Sequence, residues 1–164
     1  LIRKWADGLF YGIDAHQDLG LGCKVNMLMH KASAKHIFVR DALSKLDLNS
    51  VPMGKFDLVA TNPPFSVTLS AEERDELKDD YTLLQQGHPS ASVASEHLFL
   101  ERWHQLLREG GNVVAVVPES LLDTKANLQA RKFLFQHFNL QAVVSLPSVA
   151  FQPYTPTKLS LIHI

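Results

Sequence analysis

The sequence predicts an α/β layered domain with a mostly parallel sheet, and three observations lead there. Short apolar runs recur, each followed by a polar residue: Leu9 to Ile13 ahead of Asp14, His36 to Val39 ahead of Asp41, and Phe56 to Thr61 ahead of Asn62. Stretches with apolar residues at helical spacing separate them, and strands that alternate with helices imply parallel pairing through helical crossovers. The chain has 164 residues, 46% hydrophobic, with Lys+Arg 16 against Asp+Glu 17. That is one domain's worth of core-forming sequence, too balanced in charge for disorder.

Each element has its own signal. Leu9-Phe10-Tyr11-Gly12-Ile13 reads as a strand closed by Asp14. Residues 17–30 carry Leu19, Cys23, Val25, Met27 and Leu28 at helical spacing, and Gly20 and Gly22 each weaken that helix by about 1 kcal/mol relative to Ala. His36 to Val39 and Phe56 to Thr61 are the second and third strands, the latter stopped by consecutive prolines that cannot continue a central strand. Residues 66–94 are polar, with a charged run from Glu72 to Asp80 and a turn-rich patch from Gln85 to Ser90, and read as a surface insertion with room for one short helix. Ser95 is a good N-cap for a helix whose apolar face is Leu98, Leu100, Trp103, Leu106 and Leu107, ending at Gly110-Gly111. A strand over Asn112 to Val117, a helix over Leu128 to His137, and strands over Leu140 to Leu146 and Lys158 to Ile162 complete a single domain.

Composition excludes several classes. Gly 8, Pro 8 and Cys 1 exclude collagenous, low-complexity and disulfide-stapled chains. A lone Cys23 fits a reducing compartment, hence the cytoplasm. No run approaches the roughly 20 apolar residues of a membrane span, and Leu1-Ile2-Arg3-Lys4 is no signal peptide, so no membrane partner is expected. A formal charge of −1 excludes a globally basic nucleic-acid binder, but not a local groove or a partner that brings the DNA contacts. The chain begins at Leu1 and ends inside the apolar stretch Leu159 to Ile164, so both ends read as cut.

Three predicted strands end at Asp14, Asp41 and Asn62, and in open α/β sheets ligands bind outside the carboxyl ends of strands. A carboxylate at Asp14 either accepts hydrogen bonds from ribose hydroxyls or caps the helix that follows; its position alone does not choose. Asn62-Pro63-Pro64-Phe65 is sharper: an Asn, Asp or Ser, two prolines and an aromatic arise by chance on the order of once per hundred chains of this size. The tetrad can be simply a rigid turn. The same rigidity also presents carbonyl acceptors in a fixed direction, beside the Asn62 side-chain oxygen and the flat face of Phe65. Two acceptors and a stacking ring suit a planar amino group on an aromatic base.

With these residues the chain resembles the N6-adenine DNA methyltransferase family, most closely the modification subunits of type I restriction–modification systems. The resemblance rests on an ordered set: Gly12-Ile13-Asp14, Asn26-Met27-Leu28-Met29-His30, the Asn62 to Phe65 tetrad, Glu96 to Glu101, Leu107 to Gly111, Val117-Pro118-Glu119, and Leu146 to Thr155 followed by Lys158. It covers nearly the whole chain from about Leu9 onward. It implies a Rossmann-like fold dependent on S-adenosylmethionine, with Asp14 on the cofactor ribose and Asp41 on the cofactor adenine amine. It also implies Asn62 and Pro63 as acceptors for the N6 hydrogens of a flipped-out adenine, with Phe65 stacked on the base. The implied partners are DNA, a separate specificity subunit and a restriction subunit, with no metal.

The departures carry expectations of their own. The family's glycine-rich cofactor loop and the first strand before it are missing, and Gly20-Leu21-Gly22 does not replace them because it falls within a helix. Without that central strand, two half-sheets must pair directly or leave edges exposed, so the fragment alone is expected to bind cofactor poorly, to be inactive and to aggregate. His16 stands where relatives often have an acid, Lys31 where a helix-ending glycine is common, and Ser66 where Gly often follows the tetrad. The eight histidines are scattered, and His97 and His104 share a helix face without a completing ligand set. Lys125, Arg131 and Lys132 read as a solvated helix face rather than a DNA contact, and Lys158 has no assigned role. A glutamine or RNA N-methyltransferase is the alternative enzyme, since both substrates present a planar amine to the same tetrad. A truncated, non-catalytic remnant is the non-enzyme alternative.

Overall fold

The first strand is shorter than its apolar run: β1 spans Gly12–Asp14, with Leu9 and Phe10 outside it and exposed. A computed structural model describes residues 8–47, 49–65, 67–85 and 94–164; Ser66 and most of the polar patch beyond Gln85 lie outside the described residues. The chain forms two compact units that divide after Val51.

In the first unit, β1 leads through helix α1 (Gln17–Met29) to β2 (Ile37–Val39), and the two strands pair in parallel with Asp14 opposite Val39. This is one strand–helix–strand crossover. Gly20 is the buried residue of α1, where a Cβ would lie 2.6 Å from Val39 Cγ2. The helix closes with Lys31 at φ 56°, its N–H on the Leu28 carbonyl and the Ala32 N–H on that of Met27. That pattern is a Schellman cap.

The second unit runs β3 (Phe56–Thr61), α2 (Ala71–Leu77), α3 (Thr82–Gln85), α4 (Ser95–Leu106), β4 (Leu107–Pro118) and α5 (Glu119–Asp123). A 3₁₀ turn (Lys125–Asn127), α6 (Leu128–His137), β5 (Ala142–Ser145) and β6 (Leu159–His163) follow. Its sheet has the order β3-β4-β6-β5. β3 pairs in parallel with β4, while β6 runs antiparallel to both β4 and β5. Three strands therefore share one direction, and their carboxyl ends lie at one edge with the start of β6.

The core follows the period of each element. Val113, Ala115 and Val117 alternate inward along β4, which packs on α4, where Leu98, Leu100 and Trp103 are buried; α4 in turn packs on α6, whose Ala130, Phe133 and Leu134 are also buried. Each fully buried Val, Leu or Phe of this set contributes roughly 1.5–3 kcal/mol of burial, and each Ala less. β4 begins five residues before the predicted strand, because Gly110 takes φ 71° and Gly111 lies where a Cβ would meet the Phe56 carbonyl at 2.9 Å. Only glycines let the backbone kink there and rejoin the ladder.

Two expectations change on contact with the structure. Ser95 is not the N-cap of α4: Ala94 is, without a side-chain cap bond, and the Ser95 N–H donates to the Val67 carbonyl at 2.8 Å. Nor is the 66–94 stretch wholly superficial. α2 is a solvated helix started by a Ser70/Glu73 capping box, but Leu69, Tyr81 and Leu83 are buried. Buried Glu101 holds that return, its carboxylate accepting from the Thr82 N–H at 2.7 Å and the Leu83 N–H at 3.1 Å, while the Arg102 guanidinium lies over the Tyr81 ring at 5.1 Å. Among the described residues, no helix is long and apolar enough to cross a membrane.

Candidate functional site

The four tetrad residues leave β3 at its carboxyl end and alternate in exposure. Asn62 is exposed, Pro63 buried, Pro64 exposed and Phe65 half-buried. That is the period of extended backbone, which proline enforces. The buried Pro63 ring seats the turn in the protein while the Asn62 amide reaches solvent. Phe65 lies edge-on against Phe151, centroids 6.2 Å apart and planes at 88°.

Phe151 belongs to the 146–158 connection between β5 and β6, which opens at the same sheet edge. Short bonds order that connection: Ala150 N–H to Pro147 O, and both the Tyr154 and Thr155 N–H groups to Phe151 O. Lys158 Nζ donates to the Leu146 carbonyl and closes the loop at its base, a role the sequence left unassigned. Beside it, Glu119 accepts from the Ser145 hydroxyl at 3.2 Å and donates its own N–H to the Lys158 carbonyl. The ordered motif Leu146 to Thr155 pointed to this loop but not to its ring contact, which joins residues 86 positions apart (151 − 65).

In the first unit Asp14 ends β1 and Asp41 follows the end of β2 by two residues, so both lie at the carboxyl edge of the parallel pair. Both are exposed, and each spends one oxygen on a local turn: Asp14 Oδ1 accepts from the His16 N–H at 2.7 Å, and Asp41 Oδ1 from the Leu43 N–H at 2.9 Å. Asp14 therefore does not cap α1 itself: the N-cap is His16, without a side-chain cap bond, and Asp14 forms a turn onto the His16 N–H while keeping a second oxygen for another donor. Arg131, read as part of a basic surface, bonds inward to the carbonyls of Leu121 at 3.0 Å and Thr124 at 2.6 Å.

A cleft of about 190 Å³ opens in the second unit, lined by Thr68 just past the tetrad, by Ala94, Glu96 and His97 at the start of α4, and by Pro118, Ser120, Leu121 and Asn127 after β4. Among the described residues, no cluster of three or more His, Cys, Asp or Glu is placed to hold a metal.

The comparisons agree with this architecture. The family model of the N-6 DNA methylases matches residues 3–163. The methylase subunit of the Escherichia coli type I restriction enzyme EcoEI is 28% identical over 153 residues, 93% of this chain and 29% of that protein. A chain in a solved type I restriction–modification system is 31% identical with a TM-score of 0.75, covering 99% of this chain and 31% of that one. The methyltransferase subunit of a Streptococcus thermophilus type I system, 23% identical over 94% of this chain and 33% of that one, has a TM-score of 0.74 and the same fold. This chain therefore spans about three-tenths of the length of the relatives it matches. The fold is the Rossmann-like methyltransferase fold, with strands and helices alternating as the sequence predicts. With its family model matched over nearly every residue, the chain belongs to the N-6 DNA methylase family.

Proposed function

We propose that this chain carries the catalytic tetrad of an adenine-specific DNA methyltransferase, which moves a methyl group from S-adenosylmethionine to N6 of adenine in DNA. The single observation that supports it most is the tetrad at the exit of β3, with Asn62 exposed, Pro63 buried and Phe65 braced by Phe151. Adenine N6 is a poor nucleophile because its lone pair is delocalised into the ring. The Asn62 side-chain oxygen and the Pro63 carbonyl would accept its two hydrogens, drawing the nitrogen toward a pyramidal geometry and localising that pair. This is catalysis by position and electrostatics. Phe65 would stack on the base after it leaves the duplex.

The acceptor chemistry of Asp14 and Asp41 fits the cofactor, whose ribose hydroxyls and adenine amine are donors, and each carboxylate has an oxygen beyond its turn bond. Asp14 would hold the ribose hydroxyls and Asp41 the adenine amine. When bound, S-adenosylmethionine supplies an electrophilic sulfonium methyl. The near-neutral charge of this chain supports a division of labour in which a specificity subunit supplies most phosphate contacts and a restriction subunit completes the system, and the lone Cys23 fits a cytoplasmic location.

The test is Asn62→Ala in the complete gene product, with labelled cofactor and unmethylated DNA. Loss of one positioned polar group of this kind costs on the order of 10²–10³ in rate, with cofactor binding retained. N6-methyladenine in the wild-type product, and its loss in the variant, is the expected result. Undiminished methylation of DNA by the variant overturns the mechanism, and methylation of a release-factor glutamine in place of DNA overturns the substrate.

A further inference from the structure

Beyond the tetrad itself, a closed circuit of backbone and side-chain links surrounds the 190 Å³ cleft at the carboxyl edge of β3 and β4. The segment just past the tetrad, Val67 and Thr68, is tied to the start of α4 by the isolated Thr68–Ala94 bridge and by the Ser95 N–H on the Val67 carbonyl at 2.8 Å. One residue into that helical turn stands Glu96, and then His97, whose Nε2 meets Asn127 Oδ1 at 2.7 Å. Asn127 is fixed in turn: its Nδ2 donates to the Ser120 carbonyl at 2.8 Å and to Thr124 Oγ1 at 3.1 Å. The Thr124 hydroxyl spends its own hydrogen on the Ser120 carbonyl at 2.8 Å, so it can only accept from Asn127. Ser120 follows Pro118 at the end of β4, the strand beside β3, which completes the circuit.

These bonds assign the protons. Because both Asn127 Nδ2 bonds are donated, its Oδ1 faces the imidazole, and His97 Nε2 must carry the hydrogen. The side-chain link across the cleft is thus a donor on α4 meeting an acceptor held on the segment after β4. We propose that His97 is a positioning residue for methyl transfer: through Asn127 it fixes the first turn of α4, and through Val67 and Thr68 that turn holds the tetrad at its working distance from the end of β4. The inference rests on the methyltransferase reading given above.

The test uses the complete gene product with His97→Gln, which keeps a side-chain N–H donor, and His97→Met, which keeps similar bulk without one. The expected result is a fall in single-turnover methyl transfer of about tenfold for His97→Met, the scale of one hydrogen bond, and recovery to within about threefold for His97→Gln. Cofactor affinity should stay unchanged in both, and fluorescence of 2-aminopurine at the target position should report a less well-held extrahelical base in His97→Met alone. Thermal unfolding of each variant supplies the stability change, and Asn127→Leu, which removes the acceptor instead of the donor, should repeat the His97→Met pattern. Equal rates in all variants, or equal losses in His97→Gln and His97→Met, overturn the role of His97. A wild-type protein that transfers no methyl group to DNA removes instead the reading on which it stands.

Discussion

Phe65 and Phe151 meet edge to face across the mouth of the second sheet, with centroids 6.2 Å apart. An edge-to-face pair is worth about 0.5–1.5 kcal/mol beyond its burial. A Phe65 ring without that brace is free to turn about its side-chain bonds, and the cost falls on the step in which the base must be held. Phe151→Ala should lower kcat/KM for DNA by about 2- to 12-fold, the same energy expressed as rate. Phe151→Tyr retains the ring and should retain most of the activity. Steady-state methylation of unmethylated DNA checks both, and equal activity of Phe151→Ala and wild type would show that Phe65 needs no brace.

Gly20 and Gly22 are two residues apart in α1, and substitution should move stability in opposite directions. Each glycine costs the helix about 1 kcal/mol relative to Ala. A Cβ at Gly22 meets nothing within 4 Å, so Gly22→Ala should stabilise by nearly that amount. A Cβ at Gly20 would lie 2.6 Å from Val39 Cγ2, and overpacking of this kind costs about 1–3 kcal/mol, which outweighs the helix gain. Gly20→Ala should therefore destabilise, and Val39→Ala in the same chain should relieve it. Urea unfolding of the four variants forms the cycle that measures this coupling.

That pair shows where sequence reading stops. Period and punctuation gave helix α1, strand β3 and helix α6 nearly to the residue, because each is decided by neighbours in the chain. Equal treatment of Gly20 and Gly22 failed because the difference lies in Val39, brought against Gly20 by the crossover. The tetrad was legible since proline writes its geometry into the chemistry of the backbone. Phe151, Lys158 and the His97–Asn127 link were not, for each depends on a partner that only the sheet order brings near. Ser95 looked like a cap by residue type, yet its N–H was claimed by the carbonyl of Val67 in the loop after the tetrad, a bond without a local signature.

Lys31 ends α1 in the left-handed region, at φ 56°. A side chain there costs about 1–2 kcal/mol that glycine avoids, although glycine gives back part of this through its freer unfolded chain. Lys31→Gly should stabilise the protein by up to about 1 kcal/mol, and Lys31→Val should destabilise it, since a branched Cβ tolerates positive φ least. Thermal unfolding at fixed pH distinguishes the two. A lower melting temperature for Lys31→Gly would mean that the Lys31 side chain contributes more than its backbone costs.

His104 sets an acid limit on the second unit. Its ring packs against Phe133, His137 and Phe138 with centroids 6.0, 4.6 and 5.9 Å away. Desolvation by that packing is the main cause that lowers its pKa below the ordinary 6.5; the charge of His137 lowers it further, and Glu101 opposes both. The folded protein thus binds the His104 proton less readily than the unfolded chain. Above the unfolded value both states are neutral at this site and it contributes no pH dependence. As the pH falls below that value the unfolded state takes up the proton first, so stability declines until the folded pKa is passed, and then levels off. His104→Gln removes this titration and should lose less stability than wild type when urea midpoints at about pH 7.5 and about pH 5.5 are compared, a window chosen to bracket the ordinary histidine value. Equal acid losses in the two proteins would place the acid sensitivity elsewhere.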